Sequence, residues 1–281
     1  MRNLTVYAPA KINLDLKITG KRSDGFHEIR SLMIPIPLTD ELTFCESSLF
    51  EFEQDEKLDF PPEKNLVYKV ADKFLSTFGI SDGVKITLKK NIPDGAGLGG
   101  GSSDAASTLL GLQKFFDLQC DPKKIFALAA EAGSDVPFFL LKSPAIVSGR
   151  GEILEASEFP VHGNLLVVMP DFSINTATAY ADYDRLQGIN DSPKCDYPAL
   201  LKTIARDEQL MKQSFGNSFV FAGMQHESEI RRIISALYAE GAFFASMSGS
   251  GASCFGFFSR RPDVASFEKN FCSYRIFDLK I

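Results

Sequence analysis

The stretch between residues 84 and 116 constrains this chain more than any other. Gly95, Gly97, Gly99, Gly100 and Gly101 put five glycines into seven positions, with Ser102 and Ser103 directly behind them. Before the glycines, Val84, Lys85, Ile86, Thr87 and Leu88 alternate apolar and polar as a strand does. After them, Ala105, Leu109, Leu112 and Phe116 recur on one face of a helix. A strand therefore runs through bare backbone into a helix start. Ordering glycine costs conformational entropy, so this density fits a loop whose N–H groups must approach a ligand closely. Converging N–H groups at the positive end of a helix suit a phosphate. A flexible linker is the competing reading, but linkers are polar on both sides and this loop is flanked by two apolar elements.

Two familiar phosphate loops can be compared with it. The P-loop pattern is absent, because no Gly-Lys-Ser/Thr follows. Gly95-x-Gly97-x-x-Gly100 does match the dinucleotide fingerprint. That fold, however, needs a second strand ending in an acidic residue about 20 residues on, whereas Asp121-Pro122 opens another helix.

The chain has 281 residues, enough for roughly two domains. Hydrophobic residues make up 44% and charged residues 23%, as in a soluble globular protein, and no apolar run is long enough to span a bilayer. The start passes straight into a strand-like segment without an apolar signal core, which reads as cytoplasmic. Cys45, Cys120, Cys195, Cys254 and Cys272 are odd in number and far apart, so they suggest neither a disulfide framework nor a zinc site. His27, His162 and His226 are likewise too scattered for metal ligands. A net charge of -6 argues against a general nucleic-acid surface.

Along the chain, Ile12, Leu14, Leu16 and Ile18 alternate with Lys11, Asn13, Asp15 and Lys17, which predicts a half-buried strand with a polar outer face. A turn over 19–25 leads to a returning strand over 26–34. Short strands are expected at 42–44 and 50–52. A helix is expected over 65–78, stopped by Gly79. Asp121 caps a helix closed by Gly133, and 134–137 caps another apolar run. A strand and turn occupy 145–153, and a pattern break near 155–162 divides the chain into domains 1–158 and 159–281. In the second, 164–169 reads as a buried strand, 185–198 as a polar loop, 229–240 as an amphipathic helix and 242–247 as a strand. A second glycine-serine loop over 248–253 precedes a strand over 254–258, a helix near 264–271 and a strand over 274–279. This gives an α+β fold class.

Three segments, Pro9-Ala10-Lys11-Ile12-Asn13, the run from Pro93 to Ser103 and Gly249-Ser-Gly-Ala-Ser-Cys-Phe255, together resemble the motifs of the GHMP small-molecule kinases, in the right order. Asp24-Gly25-Phe26-His27 and Gly133-Ser134-Asp135-Val136-Pro137 are similar to one branch of that family. It acts in non-mevalonate isoprenoid precursor synthesis, on an acceptor with a cytidine diphosphate moiety and a tertiary hydroxyl. The resemblance covers nearly the whole chain and is weakest around 185–225. It implies an N-terminal domain like domain 2 of ribosomal protein S5, a ferredoxin-like C-terminal domain, and phosphoryl transfer from ATP with Mg2+.

The same resemblance implies the site. Asp135 is the general base, with Lys11 beside it. The loop of Pro93, Asp94, Gly95, Ala96, Gly97, Leu98, Gly99, Gly100, Gly101, Ser102 and Ser103 wraps the ATP phosphates, and Ser102 or Ser103 adds a hydroxyl near magnesium, whose ligands stay unassigned. Asn65 and Lys90 help line the adenine pocket. His27 reads the cytosine edge and Phe26 and Tyr180 supply aromatic faces, while Asn13, Gly249 and Ser250 belong to the substrate side. Phe26 stands where tyrosine is also common, and Asp94 where an apolar residue is frequent. The expected partner is a small molecule, with no nucleic acid or membrane, and the expected assembly is a monomer or weak homodimer. A sibling kinase acting on homoserine, mevalonate or a sugar is one alternative. A non-catalytic nucleotide or RNA binder on the same fold is another.

Overall fold

A computed structural model describes residues 2–55, 61–160, 162–186, 196–204, 209–221 and 223–281. The chain forms two compact units: residues 1–10, 38–94 and 99–142 make one, and residues 11–37, 95–98 and 143–281 the other. Two long strands, β1 (Asn3–Lys21) and β2 (His27–Ser47), pass through both.

In the first unit the end of β2 pairs antiparallel with β4 (Gly83–Lys89), and β3 (Glu51–Gln54) lies parallel to β4. Among the described residues four α-helices complete it: α1 (Leu66–Phe78), α2 (Gly100–Phe115), α3 (Pro122–Ala132) and α4 (Val136–Leu141). The ends of α1 and α3 follow from local chemistry. The Asn65 side chain accepts from Val67 N, and Gly79 closes α1 with φ 63°. Asp121 accepts from Lys123 N ahead of Pro122, and Gly133 ends α3. Helix α2 buries Ala105, Leu109 and Leu112 as its periodicity predicts. The last core position is taken by Phe115, not Phe116, which is only partly buried. Gly111 lets α2 lie directly on Phe44, since a Cβ there would fall 2.4 Å from that ring.

In the second unit the start of β2 pairs with β5 (Ala145–Gly149), which pairs with β6 (Ile153–Ala156). A four-stranded antiparallel sheet has the order β10 (Arg275–Lys280), β7 (Asn164–Met169), β9 (Cys254–Phe258), β8 (Phe244–Met247). Between β7 and β8 come α5 (Thr176–Leu186), α6 (Tyr197–Ile204), α7 (Gln209–Ser214) and α8 (Glu227–Ala239), and α9 (Val264–Asn270) precedes β10. A βαββαβ chain with strand order 4-1-3-2 is the ferredoxin-like arrangement the sequence implied.

Three expectations need correction. The polar face of β1 does not meet solvent: Lys11, Asn13 and Asp15 are 4%, 2% and 0% exposed. The short strand expected at 42–44 is the end of β2, which runs through Pro35 and Pro37 because both fall between the stretches paired with β5 (29–33) and β4 (41–47), where neither ladder needs their N–H. The loop expected over 185–198 is helical at both ends, in α5 and α6, while 187–195 lies outside the described residues. Among the described residues no helix is long and apolar enough to cross a membrane.

Candidate active site

The glycine loop has two halves with different surroundings. Residues 95–98 pack within the second unit, on the loop between β8 and β9. Gly95 and Gly97 take left-handed φ angles of 68° and 76°. A Cβ at Gly97 would fall 2.4 Å from Ser248 O and 2.8 Å from Gly251 O, so this glycine is required by the approach of two backbones. Ser253 N donates to Ala96 O at 3.2 Å and Ser248 Oγ to Gly97 O at 2.9 Å. The two glycine-serine loops, separate in the sequence, are one structure here.

Lys11 belongs to that structure. Its N–H donates to Leu98 O at 2.9 Å, and its ammonium donates to Asn13 Oδ1 at 2.7 Å and Gly97 O at 3.1 Å. Gly249 lies beside it at φ 60°, where a Cβ would fall 3.3 Å from Gly97 O and 3.5 Å from Lys11 Nζ. Asn13 is fixed in turn: its Nδ2 donates to Ser31 Oγ and its N–H to Ser248 Oγ. Ser250 meets Thr176 at the start of α5, hydroxyl to hydroxyl at 2.9 Å. Asn217 Nδ2 donates to Met247 O and Gly249 O, bracing the second loop from below.

The other half of the loop opens α2 in the first unit. Gly99 is left-handed at φ 72° and no side chain caps the helix, so its first N–H groups are offered to something other than a cap. Behind them Gly100 lies over Lys90 and Ile92. Lys90 is not a surface lysine: with a side chain 6% exposed, its ammonium lies 2.5 Å from Asp40 Oδ2 and 2.8 Å from Asp104 Oδ2, and 3.7 Å from Asp94 Oδ1. Burial pushes the Asp104 carboxyl up to about 8, with Asp40 adding to the rise and the Lys90 ammonium opposing it, and the paired carboxylates raise Lys90 against its own burial. Asp94 points outward, 78% exposed. Asn65 caps α1 and gives its Nδ2 to Gln54 Oε1 at 3.1 Å. Asp135 precedes α4 but makes no capping hydrogen bond.

His27 and Tyr180 come together in the second unit, their rings stacked at 4.5 Å and 18°. His27 Nε2 lies 2.6 Å from Asp184 Oδ1, whose other oxygen takes Lys21 Nζ at 2.5 Å; these hydrogen bonds hold the Asp184 carboxyl below its usual range despite partial burial. Tyr180 also meets Phe219 edge to face. Phe26 is exposed and stacks with the Arg150 guanidinium at 4.8 Å.

Sequence reasoning missed several supporting groups. Ser248 adjoins a recognised motif and Asp104 follows Ser103 directly, so both could have been found. Asp40, Asp184 and Asn217 carry no local signal. Among the described residues no group of three or more His, Cys, Asp or Glu side chains is gathered to hold a metal. Magnesium carried on a nucleotide needs only one or two protein oxygens, and Ser103 Oγ, buried without a hydrogen-bond partner, fits that smaller demand.

Residues 65–143 match the family model for the GHMP kinases N terminal domain, and residues 198–275 that for the GHMP kinases C terminal domain. The chain belongs to the GHMP kinases. Within that family it is similar to 4-diphosphocytidyl-2-C-methyl-D-erythritol kinases: it is 40% identical to that of Methylacidiphilum infernorum over 90% of this chain and 86% of the relative. It is 38% identical to that of Thermodesulfovibrio yellowstonii over 96% and 95%. A solved 4-(cytidine 5'-diphospho)-2C-methyl-D-erythritol kinase superimposes with a TM-score of 0.85 at 32% identity, covering 99% of this chain and 98% of the other. A homoserine kinase from Cytophaga hutchinsonii, at 18% identity and a TM-score of 0.69, shares the fold.

Proposed function

We propose that this chain transfers the γ-phosphoryl group of ATP to the C2 tertiary hydroxyl of 4-diphosphocytidyl-2-C-methyl-D-erythritol, a step in making isoprenoid precursors. The observation that carries the phosphoryl-transfer part is the buried Lys11 ammonium held at the carbonyl of Gly97, under a loop stripped of side chains. The choice of acceptor is supported by the end-to-end similarity to kinases named for that substrate.

The hydroxyl oxygen attacks the γ-phosphorus, the bond from that phosphorus to the bridging oxygen breaks, and ADP leaves. Asp135 accepts the hydroxyl proton, and Lys11 stabilises charge on the attacking oxygen and the moving phosphoryl group. The loop from Pro93 to Ser103 gives backbone N–H groups to the phosphates, and Asn65 and Lys90 lie on the nucleotide side. Ser103 or Ser102 supplies a hydroxyl to magnesium, whose charge offsets that of the phosphates. His27, Phe26 and Tyr180 form the base-reading group. Asn13, Gly249 and Ser250 hold the acceptor. The working division of the chain is 1–158 and 159–281.

Competition tests the acceptor. Free CDP should inhibit ATP turnover competitively with the acceptor, and Tyr180→Ala should weaken that inhibition by about 5- to 100-fold, the worth of one base–aromatic stack. Equal inhibition by CDP and by ribose 5-phosphate would instead favour a sibling acceptor.

A further inference from the structure

Lys21, His27 and Asp184, from three elements of the second unit, meet at one carboxylate. Lys21 ends β1 and His27 opens β2, and the turn between them is closed by Arg22 N on Phe26 O at 2.7 Å and Gly25 N on Arg22 O at 3.1 Å. Asp184 follows Tyr180 by one turn of α5, so the two side chains share a helix face. Tyr180 stacks on the His27 ring at 4.5 Å, while Asp184 Oδ1 takes its Nε2 edge at 2.6 Å. Lys21 Nζ holds the other carboxylate oxygen at 2.5 Å. Side-chain exposure falls along the row, from 40% for Lys21 through 27% for Asp184 to 8% for His27, so the imidazole lies deepest.

Donors and acceptors in this row fix the imidazole. Partial burial raises the Asp184 carboxyl, but the bonds from Lys21 and His27 outweigh it and hold the group below its usual range, so at neutral pH it is ionised and only accepts. A neutral imidazole carries one N–H, and the carboxylate claims it at Nε2. Nδ1 is left with a lone pair. That lone pair suits one pyrimidine. Cytosine carries an amino donor at its 4-position, where uracil carries a carbonyl acceptor. The amino group gives Nδ1 a hydrogen bond, whereas the carbonyl sets lone pair against lone pair and leaves both acceptors unpaired.

We propose that Asp184, braced by Lys21, is a positioning residue that selects cytidine over uridine diphosphates by keeping the His27 proton on Nε2 and a lone pair on Nδ1. This rests on the reading of His27 and Tyr180 as the base site. The carboxylate acts through His27, not on the base itself. Asp184→Asn should reverse the assignment. Lys21 only donates, so it keeps the oxygen of the new amide and turns the amide nitrogen to His27. An N–H then faces Nε2, which must accept it, and the imidazole proton moves to Nδ1.

Nitrogen NMR of the full chain reads the tautomer directly. The chain has three histidines, His27, His162 and His226, so replacing the other two in turn assigns the His27 signals. At about pH 8, above the ordinary imidazole value of about 6.5, the wild type should carry its His27 proton on Nε2, and CDP but not UDP should shift Nδ1. Calorimetric titration should find CDP bound about 10- to 100-fold more tightly than UDP, a hydrogen bond exchanged for an unpaired acceptor. In Asp184→Asn the proton should sit on Nδ1, and the preference should shrink to within about threefold or reverse. A proton on Nδ1 in the wild type would overturn the proposal, as would an undiminished preference for CDP in Asp184→Asn. If that variant does not fold, the wild-type spectrum and the wild-type ratio decide. Phosphorylation of the cytidyl acceptor by a wild type that binds CDP and UDP equally would sink this selection alone. Binding of neither nucleotide by the wild type would sink the base site and the selection together.

Discussion

Asp135→Asn should lower kcat by about 10²–10⁴-fold, the usual worth of a positioned general base, with affinity for ATP close to that of the wild type. The substitution isolates proton acceptance, because the amide keeps the shape of the side chain and can accept a hydrogen bond but cannot take the proton. It also spares the helix. Asp135 stands in the N-cap position of α4, yet its backbone is helical at φ -86° and ψ -13° and its side chain makes no capping bond, while Val136 N is satisfied by Gly133 O at 3.2 Å. Loss of activity would thus not be a by-product of lost helix capping, which costs about 1 kcal/mol where a cap exists. Steady-state kinetics with calorimetric ATP binding would decide it. Turnover within a few fold of wild type would remove Asp135 from the base role.

Gly97→Ala should be the most damaging single methyl in the glycine loop. At φ 76° an L side chain costs about 1–2 kcal/mol. The added Cβ would also press on Ser248 O and Gly251 O, and overpacking of this kind costs about 1–3 kcal/mol. The backbone cannot yield freely, because Gly97 O accepts from both Lys11 Nζ and Ser248 Oγ. A stability loss of about 2–5 kcal/mol, the sum of those two costs, should appear in urea unfolding together with a loss of activity. Gly101→Ala is the control. Gly101 lies in the first turn of α2 with only Leu66 Cδ1 near, at 3.8 Å, so a methyl there should leave stability unchanged or raise it by up to about 1 kcal/mol. If both variants unfold alike, the glycines are interchangeable and the packing account of Gly97 is wrong.

Much of the fold was legible because it is written locally. Asn65, Gly79, Asp121 and Gly133 end helices through contacts within a few residues, and the alternation in 84–88 and the continuous apolar run in 164–169 mark their strands. The failures share a cause, which is dependence on distant residues. The polar side chains of β1 looked like a solvent face, yet Asp15 is buried against Tyr197 Oη at 2.7 Å and Gly216 N at 2.8 Å, partners about 200 residues away. Burial pushes the Asp15 carboxyl up, opposed by Lys17, Tyr197 and Gly216, a tension no local pattern records. That β2 runs on from the stretch paired with β5 through Pro35 and Pro37 to 42–44 depends on where β4 and β5 pair, which no local pattern records. At the site, the motifs marked Lys11, Asn13 and both glycine-serine loops, but not that Gly97 is wedged between two backbones. Nor did they mark that Asp40 and Asp184 hold Lys90 and His27.

The full chain should be incubated with ATP, Mg2+ and 4-diphosphocytidyl-2-C-methyl-D-erythritol and followed by phosphorus NMR. A new phosphomonoester resonance on the tertiary oxygen, growing as ADP accumulates in equal amount, is the predicted result. ATP left intact beside unmodified acceptor, while homoserine or mevalonate is phosphorylated in its place, would contradict the account.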